Sequence, residues 1–273
     1  MKNLLKLIGV LGLVCSVSNA YADQVITIGA SPTPHAQILK QVEPILKKQG
    51  IILKIITFDD YVQPNLALEQ KQLDANYFQH VPYLDKFTKD RGITDLVPLV
   101  GVQIEPMGIY VNDSAKLKKF KQTKKLADLP KGGITIGVPN DPTNEGRALL
   151  LLQNNGFLTI KSGVQYPTKK DIAKNPYNIT IQELDPAMLP RSLKANQLDI
   201  AVINSNFALE AGLNPLKDAS FIEDKNSPYV NVVVVRKDEL NQPQMQALKK
   251  ALNSKEVKDY ILKTYKGSVV PAF

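Results

Sequence analysis

Runs of apolar residues divide the chain after residue 22 into segments typical of strands and helices. QVITIGA alternates β-branched residues with smaller ones, which predicts a first strand. The next stretch, PHAQILKQVEPILKKQGI, spaces its aliphatic residues on one helical face and ends at a glycine, as helices commonly do. ILKIITF predicts a second strand, and PNLALEQKQLDANYF predicts a second helix that runs into a loop. The order β-α-β-α with short connections is typical of a parallel sheet covered by helices.

The alternation of predicted strands and helices resumes after an interruption. GVQIEPMGIYVND reads as extended chain, and a lysine-rich segment separates it from a second strand–helix series. The later predicted strands are ITIGVPND, ITIQEL, LDIAVIN and VNVVVVR, and the later predicted helices are TNEGRALLLLQNNG, PRSLKANQ and MQALKKALNSKEVKDYILKTY. VNVVVVR has the continuous β-branched composition of a strand buried on both faces.

Two α/β units of similar size predict two lobes joined by a double hinge, each lobe a mainly parallel sheet flanked by helices. We expect residues 23–108 and 231–273 to form the first lobe and residues 109–230 to form the second. Ligands of open α/β sheets bind beyond the carboxyl ends of the strands. The segments at those ends therefore hold the candidate site residues.

The first 22 residues have the features of an export signal. Lys2 and Lys6 precede an apolar run, and Ala20-Tyr21-Ala22 provides the small residues that a signal peptidase requires. The run is shorter than the roughly 20 apolar residues of a membrane span, which favours cleavage after residue 22 and a periplasmic location. Lipidation at Cys15 is the alternative, but it favours a small residue at position 14 and Leu at position 12, where this chain has Val14 and Gly12.

Composition narrows the functional class only a little. The net charge is +8, and Cys15 is the chain's only cysteine, so the fold needs no disulfide. A basic balance fits nucleic acid, a membrane surface or an anionic ligand. The lysines, however, are dispersed, and the one dense cluster, at 116–125, is typical of a solvated surface. We therefore predict no nucleic-acid partner.

The segment PNDPTNEGR, residues 139–147, follows a predicted strand and begins a helix. The first turn of a helix carries unpaired N–H groups and a partial positive charge, which together attract anions. Arg147 lies within the first turns, where its guanidinium can hold a carboxylate with two hydrogen bonds. The alternative is a capped helix whose arginine pairs with an acidic side chain of the protein. Spacing alone leaves both interpretations open.

Aromatic residues cluster in FDDYVQPN (58–65) and NYFQHVPY (76–83), which place Tyr61, Phe78, His80 and Tyr83 in predicted loops. Loop aromatics are exposed unless they cover something, so several together indicate a ligand pocket. A thioether packs well against such rings. The alternative is that these rings fill the interface between the lobes or the core.

Metal and catalytic chemistry have little support in the sequence. The two histidines, His35 and His80, form no metal-binding pair, and Asp59 and Asp60 are adjacent residues typical of a loop. No nucleophile elbow, phosphate-binding loop or dinucleotide fingerprint is present. Neither Ser31 nor Ser205 has an evident base. We predict no cofactor, no metal and no enzymatic activity.

Six segments, in order, resemble the methionine-binding lipoprotein family, the NlpA/MetQ group: FDDYVQPNLAL, DANYFQHVPYLD, VPNDPTNEGRALLLLQ, LPRSL, LDIAVIN and EDKNSPYVNVVVVR. The resemblance covers nearly all of the chain that follows the predicted signal. It implies a type II-like periplasmic-binding-protein fold, a monomer that holds its ligand in the cleft, and delivery to an ABC permease and its ATPase. The ligand it implies is methionine or a similar small amino acid.

The same resemblance assigns roles to particular residues. It implies that Arg147 holds the ligand carboxylate, that Asn204 and Asn231 bind the polar end, and that an aromatic group surrounds the side chain: Tyr61, Phe78, His80 and Tyr83. Asn140 and Asn144 are expected to shape the loop. Many family members are tethered through a cysteine, so the poor lipidation signal at Cys15 is the departure from the pattern.

Two other functional classes remain open at this level. An enzyme can be built on the same two-lobed fold, since fold does not determine function. A surface-exposed lipoprotein or adhesin could use the basic segment 116–125 as its contact surface.

Overall fold

Two large β-sheets and one two-stranded sheet organise residues 24–224 and 227–273, which are the residues that this computed structural model describes. The strands are β1 Gln24–Ala30, β2 Ile51–Thr57, β3 Ala75–His80, β4 Leu96–Ile104, β5 Gly108–Val111, β6 Ile134–Pro139, β7 Thr159–Ile160, β8 Ile172–Lys174, β9 Ile179–Leu184, β10 Ile200–Ile203, β11 Phe221–Ile222, β12 Val230–Arg236 and β13 Val270–Pro271. The helices are α1 Gln37–Lys47, α2 Gln63–Glu69, α3 Val81–Arg91, α4 Lys118–Thr123, α5 Pro142–Asn154, α6 Leu189–Lys194, α7 Ser205–Glu210, α8 Pro215–Asp218, α9 Pro243–Leu252 and α10 Lys255–Tyr265.

The first lobe is built on a six-stranded sheet in the order β13-β4-β12-β3-β1-β2. β1 pairs in parallel with β2 and β3, whereas β12 runs antiparallel to β3 and β4. Helices α1, α9 and α10 pack on this sheet through one apolar cluster that includes Ile38, Leu248 and Ile261. The parallel strands β1, β2 and β3 therefore occupy one side of the sheet. Their carboxyl ends share one edge, and β3 lies next to the antiparallel strand β12.

The second lobe is built on a five-stranded sheet in the order β11-β5-β10-β6-β9. β6 pairs in parallel with β9 and β10, whereas β5 runs antiparallel to both of its neighbours, β10 and β11. The chain passes from the first sheet to the second between β4 and β5 and returns between β11 and β12. These two crossings connect the lobes. The site residues come from the carboxyl ends of β3, β6 and β10, where ligands of open α/β sheets bind.

The predicted second helix is partly wrong. α2 ends at Glu69, and residues 75–80 form the buried strand β3 instead of continuing a helix into a loop. The sequence pattern does not reveal this strand, because Asn76 and Gln79 are polar residues that are buried and hydrogen-bonded to Asn65. Phe78 and His80 consequently lie on a strand, and Tyr83 lies in the first turn of α3, a helix that was not predicted.

The long helix predicted near the carboxyl end is two helices. α9 ends at Leu252, and α10 begins after Ser254, whose hydroxyl accepts a hydrogen bond from the backbone N–H of Val257 at 3.3 Å. A serine at this position stabilises a new helix start by satisfying an unpaired N–H. The apolar periodicity is similar on both sides of the break, so periodicity alone did not reveal it.

The basic segment 116–125 contains α4, which buries Phe120 in the second lobe. Three of the segment's lysines form ion pairs with carboxylates at 2.6 Å: Lys116 with Asp199, Lys119 with Asp128 and Lys121 with Asp113. These pairings reduce the positive charge that the segment offers to a partner.

The predicted export signal and Cys15 lie outside the described residues. Within the described part of the chain, no helix has the length and apolar character needed to cross a bilayer.

Candidate functional site

A cavity lies between the two lobes where the strand ends face each other. It contains about 330 Å³ of space between side chains, counting its open mouth. Its lining residues are Tyr61, Phe78, Gln79, His80, Tyr83, Glu105, Asn144, Arg147, Asn204, Ser205, Asn206 and Asn231. All seven residues named from the sequence as ligand contacts therefore lie at one cavity.

One side of the cavity is aromatic. Tyr61 lies 5.9 Å from both Phe78 and Tyr83 between ring centroids, and 5.1 Å from Phe207 of the second lobe. The Tyr83 hydroxyl donates to the backbone carbonyl of Tyr61 at 2.7 Å, which fixes the two rings relative to each other. Tilted and edge-on contacts at these distances stabilise ring pairs beyond simple burial. Both interpretations of the aromatic cluster thus apply, since the rings pack the lobe interface and also line the cavity.

His80 connects the two lobes. Its Nδ1 accepts a hydrogen bond from the backbone N–H of Tyr83 at 3.1 Å, which caps α3. The proton therefore lies on Nε2, which donates to Oδ1 of Asn144 in the second lobe at 3.2 Å. Burial, reinforced by the positive charge of Arg147, lowers the pKa of His80 to about 3. The imidazole is neutral at physiological pH, and its polar atoms are engaged within the protein.

Arg147 projects from α5 and is almost fully buried. Its Nε donates to Glu223 at 3.0 Å and its Nη2 donates to the same carboxylate at 2.5 Å. Nη2 also donates to the backbone carbonyl of Glu105 at 2.8 Å, and the guanidinium carbon lies 4.1 Å from the centre of the Tyr229 ring. Among the hydrogen bonds of the described residues, Nη1 makes none.

Two nitrogens of the Arg147 guanidinium, Nε and Nη2, therefore already donate to a carboxylate of the protein. This is the pairing that the sequence offered as the alternative to ligand binding. Glu223 lies 76 positions away in sequence, immediately after β11. It fixes the plane of the guanidinium and leaves Nη1 as the nitrogen available for a further acceptor.

The start of α5 is organised by Asp141. This side chain accepts hydrogen bonds from the backbone N–H of Asn144 at 2.9 Å and from the Thr143 hydroxyl at 2.8 Å, as a helix cap does. Burial raises the pKa of Asp141, and these hydrogen bonds oppose that rise. The Asn144 side chain donates to Asp141 and accepts from Asn204 Nδ2 at 2.9 Å. Asn144 thus shapes the loop, as expected, although it also reaches the cavity.

Two polar atoms of this cavity are buried with no hydrogen-bond partner among the described residues: Asn204 Oδ1 and Asn206 Nδ2. Asn206 uses its other amide atom to accept from the Tyr61 hydroxyl at 2.6 Å, a second contact between the lobes. Burial raises the pKa of Tyr61, so this hydroxyl keeps its proton. Buried polar atoms are nearly always paired. An unpaired acceptor and an unpaired donor in one cavity indicate a ligand that carries both kinds of group.

The sequence did not identify Glu105, Gln79, Ser205 and Asn206 as cavity residues or His35 as their neighbour. Glu105 follows β4 at the first crossing between the lobes, and its Oε1 accepts from Gln103 Nε2 at 2.9 Å. His35 Nε2 lies 3.2 Å from the same oxygen and 3.0 Å from Asn231 Oδ1. His35 belongs to the segment SPTPHAQ, which directly follows the predicted first strand QVITIGA, and this position was a weak signal for a site residue. Nothing in the local sequence distinguished Glu105 from other acidic residues.

The polar side of the cavity carries both signs of charge. Arg147 provides a cation, and Glu105 provides a buried carboxylate whose Oε2 makes no hydrogen bond among those of the described residues. The same part of the chain contains no group of three or more histidine, cysteine or acidic side chains that could hold a metal ion. Both charge signs, with unpaired amide atoms on one side and aromatic rings on the other, fit a zwitterion with an apolar side chain.

The fold and the cavity define a two-lobed solute-binding protein with its site in the cleft. The family model for NlpA lipoproteins matches residues 26–273. The chain is 41% identical over 249 residues to the methionine-binding lipoprotein MetQ of Bacillus subtilis, which covers 90% of this chain and 87% of that protein. It is 40% identical over 266 residues to the D-methionine-binding lipoprotein MetQ of Escherichia coli, which covers 97% and 94%. The chain therefore belongs to the NlpA lipoprotein family.

Solved structures agree with this assignment. A nutrient-binding protein from Burkholderia cenocepacia, bound to methionine, is 44% identical, with a TM-score of 0.83 over 91% of this chain and all of that one. The lipoprotein Tp32 of Treponema pallidum is 35% identical, with a TM-score of 0.83 over 92% of this chain. The predicted family and the predicted two-lobed fold are confirmed.

Proposed function

We propose that this protein binds methionine, or a similar small amino acid, as a zwitterion in the cleft and delivers it to an ABC importer. The observation that carries this proposal is the division of a single cavity into an aromatic side and a polar side with unpaired atoms. The names of the relatives and the methionine-bound neighbour support the choice of ligand.

The polar side offers partners of the right kind for each end of the ligand backbone. The ligand carboxylate accepts from Arg147 Nη1, with the amides of Asn206 and Asn231 as further donors. The ammonium group donates to Glu105 Oε2 and to Asn204 Oδ1. Charge-assisted hydrogen bonds of this type are roughly twice as strong as neutral ones. In this assignment, each of the two unpaired buried atoms gains a partner when the ligand binds.

The aromatic side receives the ligand side chain. Tyr61, Phe78, His80 and Tyr83 enclose it, and contacts between a thioether sulfur and an aromatic ring contribute about 0.3 to 1.5 kcal/mol each. These rings provide no charged group and no hydrogen-bond donor that is not already engaged among the described residues. The aromatic side of the cavity therefore favours a ligand with an uncharged side chain over one with an acidic or basic side chain.

Binding is coupled to closure of the lobes. Direct hydrogen bonds already join them, from Tyr61 to Asn206 and from His80 to Asn144. A ligand that contacts residues of both lobes favours the closed form through its higher affinity for that form. The permease would then recognise the closed surface, and its ATPase would drive import. The chain acts as a monomer in this scheme.

The proposal includes no catalytic step. His80 is the one histidine among the lining residues, and its lowered pKa leaves it unprotonated at physiological pH. General acid–base catalysis works best with a pKa near the operating pH. Recovery of the ligand unchanged after long incubation checks this point.

The location and the lobe boundaries are parts of the same proposal. The relatives named above are lipoproteins, which fits export and tethering to a membrane. We propose periplasmic placement after export, with lipidation at Cys15 as the alternative to release by cleavage after Ala22. We also propose residues 23–108 with 231–273 as one lobe and 109–230 as the other.

Isothermal titration with L-methionine and D-methionine tests the proposed function. Mass spectrometry of whatever is released from the purified protein after gentle denaturation identifies a ligand that copurifies. We expect binding of at least one methionine enantiomer and weaker binding of N-acetylmethionine, which lacks the ammonium group. A protein free of copurified ligand that binds neither enantiomer would contradict the proposal.

A further inference from the structure

His35 lies between two groups that face the cavity. It sits in the turn after β1 and is 1% exposed. Its Nε2 is 3.0 Å from Oδ1 of Asn231 and 3.2 Å from Oε1 of Glu105. Building on the function proposed above, we propose that His35 is a positioning residue that orients the Asn231 amide, so that Nδ2 faces the ligand as a donor.

The position of the imidazole proton follows from its neighbours. An amide oxygen and a carboxylate oxygen both accept hydrogen bonds, so the nitrogen between them must donate. The proton is therefore on Nε2. His35 Nδ1 is buried with no partner among the described residues, and the ring packs edge-on against Tyr77 at 4.7 Å and 79°. The ring is thus held with its Nε2 donor pointing at Asn231 and Glu105.

This donor decides which end of the Asn231 amide faces the cavity. Because Oδ1 accepts from His35, rotating the amide by half a turn would place Nδ2 against the Nε2 proton and lose the hydrogen bond. Asn231 is buried at the start of β12 and lines the cavity, and Nδ2 makes no hydrogen bond among those of the described residues. Fixing a polar group in its binding orientation strengthens binding by lowering the entropy cost.

Glu105 depends less on His35 than Asn231 does. Its Oε1 accepts a second hydrogen bond from Gln103 Nε2 at 2.9 Å. The Gln103 side chain is in turn held by the hydroxyl of Tyr77. Asn231 Oδ1 has no such second donor among the described residues. Removing His35 should therefore act on the ligand mainly through Asn231.

A double-mutant cycle tests this dependence. Calorimetry measures the Kd for methionine of the wild type, His35→Leu, Asn231→Ala and the double variant. We expect His35→Leu to weaken binding about tenfold on its own, and less than about twofold when Asn231 is already alanine. Effects that add, so that His35→Leu costs the same in both backgrounds, would overturn the proposal.

Two further variants separate positioning from general damage. His35→Gln carries an amide nitrogen close to the place of Nε2 and should recover binding to within about threefold of the wild type. The side chain in His35→Asn is one methylene shorter than glutamine and cannot place a donor there. This variant replaces His35→Leu in the cycle if His35→Leu does not fold. If His35→Gln binds as weakly as His35→Asn, the proposal is wrong.

The control is Tyr265→Phe, which removes a buried hydroxyl that donates to Gln37 Oε1 at 2.7 Å on the helix that follows the His35 turn. We expect it to leave methionine affinity unchanged. The wild-type titration distinguishes failure of the proposed function from failure of the role proposed for His35. Absence of wild-type binding would contradict the proposed function, whereas an additive cycle in a binding-competent protein would contradict only the role of His35.

Discussion

The aromatic side and the polar side of the cavity differ in how completely the protein itself satisfies them. The rings of Tyr61, Phe78 and Tyr83 contact one another, and both tyrosine hydroxyls donate to protein oxygens. On the polar side, Asn204 Oδ1 and Asn206 Nδ2 have no partner among the described residues. The aromatic side is part of the fold before any ligand arrives, whereas the polar side is completed by the ligand.

This difference has an energetic consequence. Removing a packed ring should cost folding free energy as well as affinity, because the ring stabilises the protein with or without ligand. Removing a half-paired amide should cost affinity and less folding free energy than removing a fully paired one, because its unpaired atom contributes no hydrogen bond to the native state. The predictions below test this separation, beginning with the largest expected effect.

The largest effect is expected for Phe78→Ala. Phe78 is 4% exposed and belongs to the aromatic cluster with Tyr83 and Phe87, so its loss should lower the free energy of unfolding by about 3 to 5 kcal/mol. Urea denaturation measures this change, and calorimetry should show weaker methionine binding.

The matched control is Phe120→Ala in the core of the second lobe, which should lose similar stability and keep its affinity wherever it is folded. A Phe78→Ala variant with unchanged stability would show that the aromatic side is not part of the fold.

Arg147→Ala should lose about 2 to 5 kcal/mol of binding free energy, because the ligand carboxylate and Glu223 would both be left without their cation. Isothermal titration measures the loss. Arg191→Ala, at an exposed position of α6, is the control and should bind normally. Unchanged methionine affinity in Arg147→Ala would refute the assigned role.

Asn204→Ala should weaken binding by about 1 to 3 kcal/mol. It removes one internal hydrogen bond, from Nδ2 to Asn144 Oδ1, so the free energy of unfolding should fall by only about 1 kcal/mol. The matched control is Asn112→Ala. The Asn112 side chain is also buried, but it donates to the Leu198 carbonyl at 2.8 Å and accepts from the Ser114 hydroxyl at 2.6 Å. That variant should show the opposite result, with lower stability and normal affinity. Equal stability losses in the two variants would remove the distinction between fully paired and half-paired amides.

The smallest effect concerns pH and His80. The pKa of this residue falls from about 6.5 to about 3 on folding, so between these values the unfolded chain binds a proton that the folded protein does not. Stability from this group is therefore fully present above pH 6.5 and is lost as the pH falls towards 3. The loss should be about 1 kcal/mol from pH 6 to pH 5.

His80→Gln keeps a donor near the place of Nε2 and has no titrating group, so its stability should fall less steeply over this interval. Urea denaturation at pH 6 and pH 5 measures the two slopes. Identical slopes in the variant and the wild type would show that His80 does not titrate as described.

The sequence was most informative where local pattern and local structure coincide. The strand at 24–30 and the helix that begins at Pro142 were predicted close to their observed bounds. The sequence was least informative at β3, where Asn76 and Gln79 are polar residues inside a buried strand. Their amides satisfy one another and Asn65, so burial cost little and left no apolar pattern to detect.

Of the seven predicted cavity residues, Arg147 and the members of the aromatic cluster were candidates from the sequence pattern, whereas Asn204 and Asn231 were reached only through the ordered family motifs. Periodicity alone left Arg147 equally consistent with a ligand and with an internal ion pair. Glu105 and Asn206 escaped notice because an isolated acid or amide after a strand is common, and only its surroundings mark it as part of a site.

By itself, the amino-acid sequence determined the family, the two α/β units and the strands β6 and β10 whose ends contribute to the site, because these follow from local periodicity and ordered motifs. Only the tertiary structure decided which polar atoms find partners within the protein. His35 meets Asn231 across 196 positions of sequence, and Arg147 meets Glu223 across 76. Hydrogen bonds and ion pairs act over a few ångströms, so they depend on where the two chain crossings bring distant segments together, which no local pattern records.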